Sequence, residues 1–408
     1  MSMSKDKYSD LTIQVTKNIS KEEKKQFGIF ITPQNIITVL IDKALEFVEK
    51  PVEDILEPSC GTAEIVNYCD QKLQNILIDG IELNKTIYNT IKDLKFKNKV
   101  TITNANFITY RPEKLYDFIP GNPPYFVCKK TDVPKQFEKY VLGRPNIFGL
   151  FILKSIELLK PNGILAFVIP RSFLNSIYYS KIRNYIKETC IILSVEDYTD
   201  KDDFIDTSQA TFGLILKKLE ISEINPCDCK HSVLIGDNFM FTDNSLVLKK
   251  LFEGSTTIDK LGLKVRTGTV VWNEKKDKLS NDDNDTLLLY NTNLTKGNTV
   301  ELKHFTNEEK KQYIKLPGQI NPTLVVNRGN GNSAYKLQYA LIKTGPYLIE
   351  NHLNEIYSPK KMEKNEMLKI YNKIINSFQN PKTQEFIKIF LGNNGLSKTE
   401  LETIFPIY

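Results

Sequence analysis

The chain is poor in the features that would tie it to a membrane or to an oxidising compartment. Six cysteines scattered over 408 residues are too few for a disulfide framework and read as reduced intracellular thiols. No apolar run approaches the roughly 18 residues of a membrane helix. The longest, around Ile164–Ile169, is strand-sized. The amino-terminal MSMSKDKYSD has no hydrophobic signal core, so the expected location is intracellular and cytoplasmic, with no membrane partner. No internal repeat is visible. A G-x-G-x-x-G run and a P-loop lysine are both missing, which disfavours NAD and ATP as ligands.

What is present is enough apolar material for a core: 41% hydrophobic and 25% charged residues, with a net charge of +6 from 55 basic and 49 acidic side chains. The length predicts two domains, and the slight basic excess permits an acidic partner without requiring one. Residues 1–25 are polar and lysine-rich and read as a flexible arm that turns helical near Lys21–Lys25. From Val52 to about Lys218, seven short β-rich runs alternate with helical stretches: Asp54–Glu57, Ile76–Leu83, Lys99–Thr103, Tyr116–Pro120, Ile164–Pro170, Ile191–Tyr198 and Ala210–Lys217. Ile147–Leu159 is one of the helical patterns between them. This alternation predicts an α/β domain, a mostly parallel sheet covered by helices on both faces. Ile221–Lys230 reads as a linker, and beyond it Asn/Asp/Gly-rich stretches separate short apolar runs until helices return at Lys364–Phe378 and Thr383–Leu391. The expected division is a catalytic domain over 26–221 and a mixed α+β domain over 222–408.

The first strand runs into Glu57-Pro58-Ser59-Cys60-Gly61-Thr62-Ala63, a tight turn of small residues ahead of a helix. A doubly wound sheet builds its nucleotide crevice in this way, and Gly61 lets backbone approach a ligand closely. The second strand ends in Glu82-Leu83. A carboxylate at this place, about 20 residues past the glycine, suits the two hydroxyls of a ribose. The fourth strand runs into Asn122-Pro123-Pro124-Tyr125. The prolines stiffen the backbone, and the Asn122 side-chain oxygen beside the Pro123 carbonyl makes a rigid pair of acceptors for the two hydrogens of an exocyclic amine. Tyr125 offers a face for a planar base.

These residues, in this order, resemble the gamma class of N6-adenine DNA methyltransferases. The resemblance implies a Rossmann-like seven-stranded domain that uses S-adenosyl-L-methionine, followed by a DNA target-recognition domain. Gly28-Ile29-Phe30-Ile31-Thr32-Pro33 is similar to the segment that wraps the methionine end of the cofactor in that class, which implicates Phe30, Thr32 and Pro33. Glu57, Pro58, Ser59, Cys60 and Gly61 match the cofactor loop, with Ala63 where a second glycine is usual. Glu82 and Leu83 match the ribose position. Asn106-Phe107 stands where the class has an acid and a phenylalanine against the cofactor adenine. Asn122, Pro123, Pro124 and Tyr125 match the catalytic motif in full. Phe151 lies in a similar family segment, as does Ile169–Leu174. Phe204 occupies the place of a second aromatic that stacks on the target base beside Tyr125. Further on, Val265–Asn273 is similar to the opening of the recognition domain, and Gly395–Leu401 is also similar to a family segment.

The implied reaction is methyl transfer to the N6 amine of an adenine flipped out of duplex DNA, with no metal and no covalent intermediate. A cognate restriction endonuclease is the implied partner. Arg266, Trp272, Arg328 and Lys336 are the candidate DNA contacts, in a half also rich in Asn and Gln; arginine suits guanine and Asn or Gln suits adenine in the major groove. The other substrates open to the same chemistry are N4 of cytosine, an RNA base or a protein glutamine amide. The long second domain favours DNA. A catalytically silent DNA-binding protein on this fold is opposed by the presence of Glu57, Glu82 and Asn122–Tyr125. Pro226-Cys227 resembles the nucleophile of cytosine-C5 methyltransferases but falls after the catalytic sheet. Cys227, Cys229 and His231 lack the C-x-x-C spacing of a metal site.

Overall fold

The computed structural model describes residues 8–20, 22–23, 32–198, 210–220, 230–236, 238–329, 335–391 and 395–408. Phe30, Phe204, Pro226, Cys227 and Cys229 fall outside these residues. The chain divides into two units, one made of Met1–Leu234 with Phe239–Ser245, the other of Ile235–Asn238 with Leu246–Tyr408. The division lies further along than the expected boundary near residue 222. The reason is that Phe239 and Phe241 are buried in the first unit's core, where the Phe241 N–H donates to the Leu174 carbonyl at 2.9 Å.

The first unit contains seven strands: β1 (Asp54–Glu57), β2 (Leu77–Glu82), β3 (Lys99–Asn104), β4 (Tyr116–Gly121), β5 (Leu159–Pro170), β6 (Cys190–Asp197) and β7 (Thr211–Lys218). They lie side by side in the order β3-β2-β1-β4-β5-β7-β6. β7 runs antiparallel to both of its neighbours, and the other pairings are parallel. Side chains along β5 alternate between two cores, as the period of two requires. Leu165, Phe167 and Ile169 join α5 (Ile147–Leu158) on one face. Ile164, Ala166 and Val168 join α2 (Gln34–Leu45) and α3 (Glu64–Lys72) on the other. α4 (Lys85–Ile91) follows β2, and α6 (Ser180–Thr189) precedes β6.

The amino-terminal segment is not wholly an arm. Residues Asp10–Asn18 form α1, capped by Ser9, whose hydroxyl accepts from the Thr12 N–H. Val15 and Ile19 pack with Ile87 of α4. Thr12 is fully buried, and its hydroxyl meets that of Thr62 at 2.7 Å. Ser9 donates to the Glu64 carboxylate at 2.5 Å, and Thr12 donates to the same oxygen.

The second unit has the expected mixed α+β composition. One four-stranded sheet joins Lys264–Thr267, Leu353–Tyr357, Thr323–Asn327 and Tyr339–Ile342, all antiparallel. A second joins Leu279–Ser280, Tyr313–Ile314, Thr286–Leu289 and Tyr347–Ile349. Helices Lys364–Phe378, Pro381–Phe386 and Lys398–Thr403 follow. Among the described residues no helix is long and apolar enough to cross a membrane.

Candidate active site

Parallel strands leave their carboxyl ends at one edge of the sheet, and the turns that follow enclose a crevice there. In the first unit this crevice is a cavity with about 1110 Å³ of open space. The turn after β1, the end of β2, the turn after β3 and the Asn122–Phe126 segment after β4 all contribute to it.

The glycine loop owes its shape to two left-handed residues. Gly61 has φ +49° and Ala63 has φ +64°. At Ala63 a Cβ is present in a conformation that disfavours one, costing about 1–2 kcal/mol, and the residue is 1% exposed in the core of the α3 face. A Cβ added at Gly61 would meet nothing within 4 Å, so the backbone there is open to the cavity. Glu57, 3% exposed, accepts from the Val66 N–H at 3.1 Å, so it satisfies the first turn of α3. Burial pushes its carboxyl up to about 8, against the pull of that N–H. Burial also pushes the Cys60 thiol well up, which makes it an inert lining group.

Glu82 is 8% exposed. One of its oxygens accepts from the Gly61 N–H at 2.9 Å, the other from the Asn84 N–H at 2.6 Å. Burial raises its pKa, opposed by these backbone donors. Each oxygen keeps a further lone pair. The strand end is braced by Asn104, whose side-chain amide donates to the Glu82 carbonyl at 2.8 Å and the Leu83 carbonyl at 3.1 Å.

The turn after β3 winds once around Asn106. The Asn106 carbonyl accepts from the N–H of Thr109 and of Tyr110, and its side-chain oxygen accepts from the Ile108 N–H at 2.9 Å. Phe107 is buried with its ring 4.8 Å from that of Phe151. Lys154, one turn along α5 from Phe151, is 3% exposed. Its ammonium donates to the carbonyls of Phe107, Ile108 and Tyr110. Burial pushes its pKa down to about 8; the neighbouring Arg111 adds to the lowering and Glu157 opposes it.

In the tetrapeptide, the Asn122 amide is oriented by two partners of opposite demand. Its Nδ2 donates to Thr32 Oγ1 at 2.8 Å, and its oxygen accepts from the Tyr125 hydroxyl. Ser59 donates to the Asn122 carbonyl at 3.2 Å. Thr32 is thereby a support for Asn122. Tyr125 differs from the expected open stacking face. It is 9% exposed, its ring meets Phe148 edge-on at 6.1 Å, and its hydroxyl also reaches the Val168 carbonyl at 2.9 Å. The cavity wall here is made by Asn122, Pro124 and Phe126.

The cavity brings together Thr32, Glu57, Pro58, Ser59, Cys60, Gly61, Glu82, Leu83, Asn106, Phe107, Asn122, Pro124 and Phe151 of the residues the sequence singles out. Pro33 instead precedes the first turn of α2 as its N-cap. Val15, Ile19, Ile87 and Phe126 also line the cavity, and the sequence reading does not name them.

The DNA-contact candidates of the second unit fare differently. Arg266 donates to Glu355, 2% exposed, and to Gln319, both at 2.7 Å, and stacks over Tyr357. Arg328 donates to the Asn351 carbonyl at 2.9 Å. The ring of Trp272 lies 5.7 Å from the Lys310 ammonium, which also sits over Tyr290 and Phe305 at 4.1 and 4.8 Å. These three are engaged within the unit, because each finds an acceptor or cation of its own chain close by. Lys336 is exposed. Arg266→Ala leaves Glu355 as a buried, uncompensated carboxylate, so the expected result is a loss of about 1–3 kcal/mol of stability. Thermal melting checks this, and the added substitution Glu355→Gln is expected to restore part of the loss.

The donor set fits S-adenosylmethionine. A carboxylate with lone pairs to spare faces the place of a diol, an apolar wall of Phe107, Phe151 and Leu83 suits a purine, and Gly61 leaves its backbone uncovered. Strand order and site together define an S-adenosylmethionine-dependent methyltransferase. Residues 36–204 match the family model described as Eco57I restriction-modification methylase. The chain is 29% identical over 412 residues to the modification methylase CviBIII of Paramecium bursaria Chlorella virus NC1A, covering 100% of both. It is 26% identical over 405 residues to the type II methyltransferase M.CvrRI of Paramecium bursaria Chlorella virus XZ-6E, covering 98% of this chain and 99% of that one. The solved type IIG restriction endonuclease BpuSI covers 98% of this chain with 60% of its own, at 12% identity and a TM-score of 0.48. The protein is a methyltransferase of the type II restriction-modification kind.

Proposed function

We propose that the protein methylates the N6 amine of an adenine swung out of duplex DNA. The observation that carries this reading is the Asn122 amide, whose oxygen is turned by Thr32 and Tyr125 into a fixed acceptor at the cavity wall. An exocyclic amine brings two hydrogens to such a site, and holding them turns the nitrogen lone pair away from its ring. The bound cofactor supplies an electrophilic methyl group on a sulfonium. The chain's own part is to hold and orient. Glu82 accepts hydroxyl hydrogens, Phe107, Phe151 and Leu83 enclose an adenine ring, and Asn106 offers its exposed amide at the ring's edge. Asn122 stabilises the positive charge that grows on the attacked nitrogen, and positioning of this kind supplies most of the acceleration.

A base inside a duplex cannot reach such a wall, so it is extruded at a cost of a few kcal/mol. Stacking on an aromatic supplies roughly 1–3 kcal/mol in return. Phe126, half-buried and lining the cavity, is placed to add to that contact. The second unit reads the surrounding sequence, and an endonuclease acting on the same site is the partner that this activity protects against. The test of the DNA assignment is the salt dependence of duplex binding. Raising salt from about 50 to 200 mM is expected to weaken binding about 40-fold if three phosphates are neutralised. A flat response in a filter-binding titration would contradict the DNA reading.

A further inference from the structure

Lys154 lies in a helix that is apolar nearly all round and buried from Ile147 to Ile156. A lysine in such a place is rare unless it is paired. Among the described residues no carboxylate bonds to it. Its partners are the three carbonyls of Phe107, Ile108 and Tyr110, and its ammonium also sits 4.9 Å over the Phe107 ring. These carbonyls are the open end of the single turn wound on Asn106, where the backbone dipoles present negative charge. Arg111 adds a second cation to the same end, donating to the carbonyls of Ile108 and Tyr110 at 3.3 and 3.1 Å. Lys154 itself does not line the cavity, whereas Asn106, Phe107 and, one turn away on the same helix, Phe151 do.

From this arrangement we infer that Lys154 is a positioning residue for the cofactor: it clamps the Asn106–Tyr110 turn to α5 and so fixes the packed Phe107–Phe151 pair as the wall against which the adenine ring lies. The inference rests on assigning the Asn106–Phe107 wall to that ring. Without the ammonium, the Ile108 and Tyr110 carbonyls keep Arg111 and the Phe107 carbonyl keeps the Tyr110 N–H at 3.2 Å, but the turn loses its three bonds to α5. Phe107 would then move off Phe151, and the wall would lose its shape although no residue that lines the cavity has been changed.

Calorimetric titration of the full chain with S-adenosylhomocysteine tests this. Lys154→Met, close in length and uncharged, is expected to weaken binding about tenfold, while turnover at saturating S-adenosylmethionine stays within about twofold of wild type. Lys154→Arg keeps charge and donors and is expected to recover most of the affinity. Phe107→Ala serves as the control for the wall and is expected to weaken binding as well. If Lys154→Met does not melt cooperatively, Lys154→Gln takes its place. Wild-type affinity in the Lys154 variant beside weakened binding in Phe107→Ala would overturn the positioning role. Wild-type affinity in both would overturn the assignment of the wall itself.

Discussion

Asn122→Ala is expected to lower the rate of methyl transfer by about 10²–10³-fold while leaving cofactor affinity within a few-fold of wild type, the size of loss seen when one oriented group facing developing charge is removed. Alanine offers no acceptor, and the groups that orient the amide cannot take over. Thr32 loses the donor that reaches it at 2.8 Å. Tyr125 keeps its bond to the Val168 carbonyl at 2.9 Å and so stays where it is. The loss therefore falls on the chemical step rather than on packing. Asn122→Asp keeps acceptor oxygens and requires only that the Thr32 hydroxyl turn to donate, so its loss should be the smaller of the two. Single-turnover rates with calorimetric cofactor binding separate the cases. Near-normal turnover in Asn122→Ala would remove the residue from the chemistry. Collapse of cofactor affinity would move its role to the cofactor.

Glu82→Ala is expected to act on the other side of the ledger, raising the dissociation constant for S-adenosylmethionine about 100-fold or more. Two hydrogen bonds from hydroxyls to a carboxylate are each worth about 1.5–3 kcal/mol. The same carboxylate also holds the N–H groups of Gly61 and Asn84, so the loop that shapes the cavity loosens with it. Glu82→Gln should be nearly as damaging, because both oxygens accept from backbone N–H groups and an amide would set a donor against one of them. Burial raises the pKa of Glu82. As pH falls through that raised value the carboxylate gains a proton and loses acceptor capacity, so wild-type affinity should drop on the acid side. The Glu82 variants should lack this drop. Unchanged affinity in Glu82→Ala would leave the carboxylate with a purely structural task in the loop.

The sheet is readable in the sequence because each strand is a short apolar run closed by turn residues, and period-two burial on both faces leaves no other solution. The starts agree closely except at β5, which begins at Leu159 rather than Ile164. Lys160-Pro161-Asn162-Gly163 reads as a loop, yet Leu159 pairs with Tyr116 across a register shift. The reversal of β7 between β5 and β6 is a long-range choice that no local pattern announces. Helix α1 is different, since its signal is present and overshadowed by polar composition. Ser9 caps it, and Leu11, Val15 and Ile19 follow at intervals of four. Lys154 could likewise have been noticed as a lone cation in an apolar helix.

At the site, the glycine loop, Glu82 and Asn122 are legible because their chemistry fixes both residue type and position. Tyr125 is legible in type but not in orientation, since its burial depends on Phe148 and Val168 from distant elements. Arg266, Arg328 and Trp272 are likewise legible in type but not in surroundings. A side chain suited to a base or a phosphate is equally suited to Glu355, the Asn351 carbonyl or Lys310 of its own chain.

The central claim is the identity of the methylated atom. Incubating the full chain with tritiated S-adenosylmethionine and unmethylated genomic DNA, then digesting to nucleosides, reads it directly. Label in N6-methyldeoxyadenosine, abolished by Asn122→Ala, is the result expected here. Label in N4-methyldeoxycytidine, or none in DNA while added RNA or protein is labelled, would contradict it.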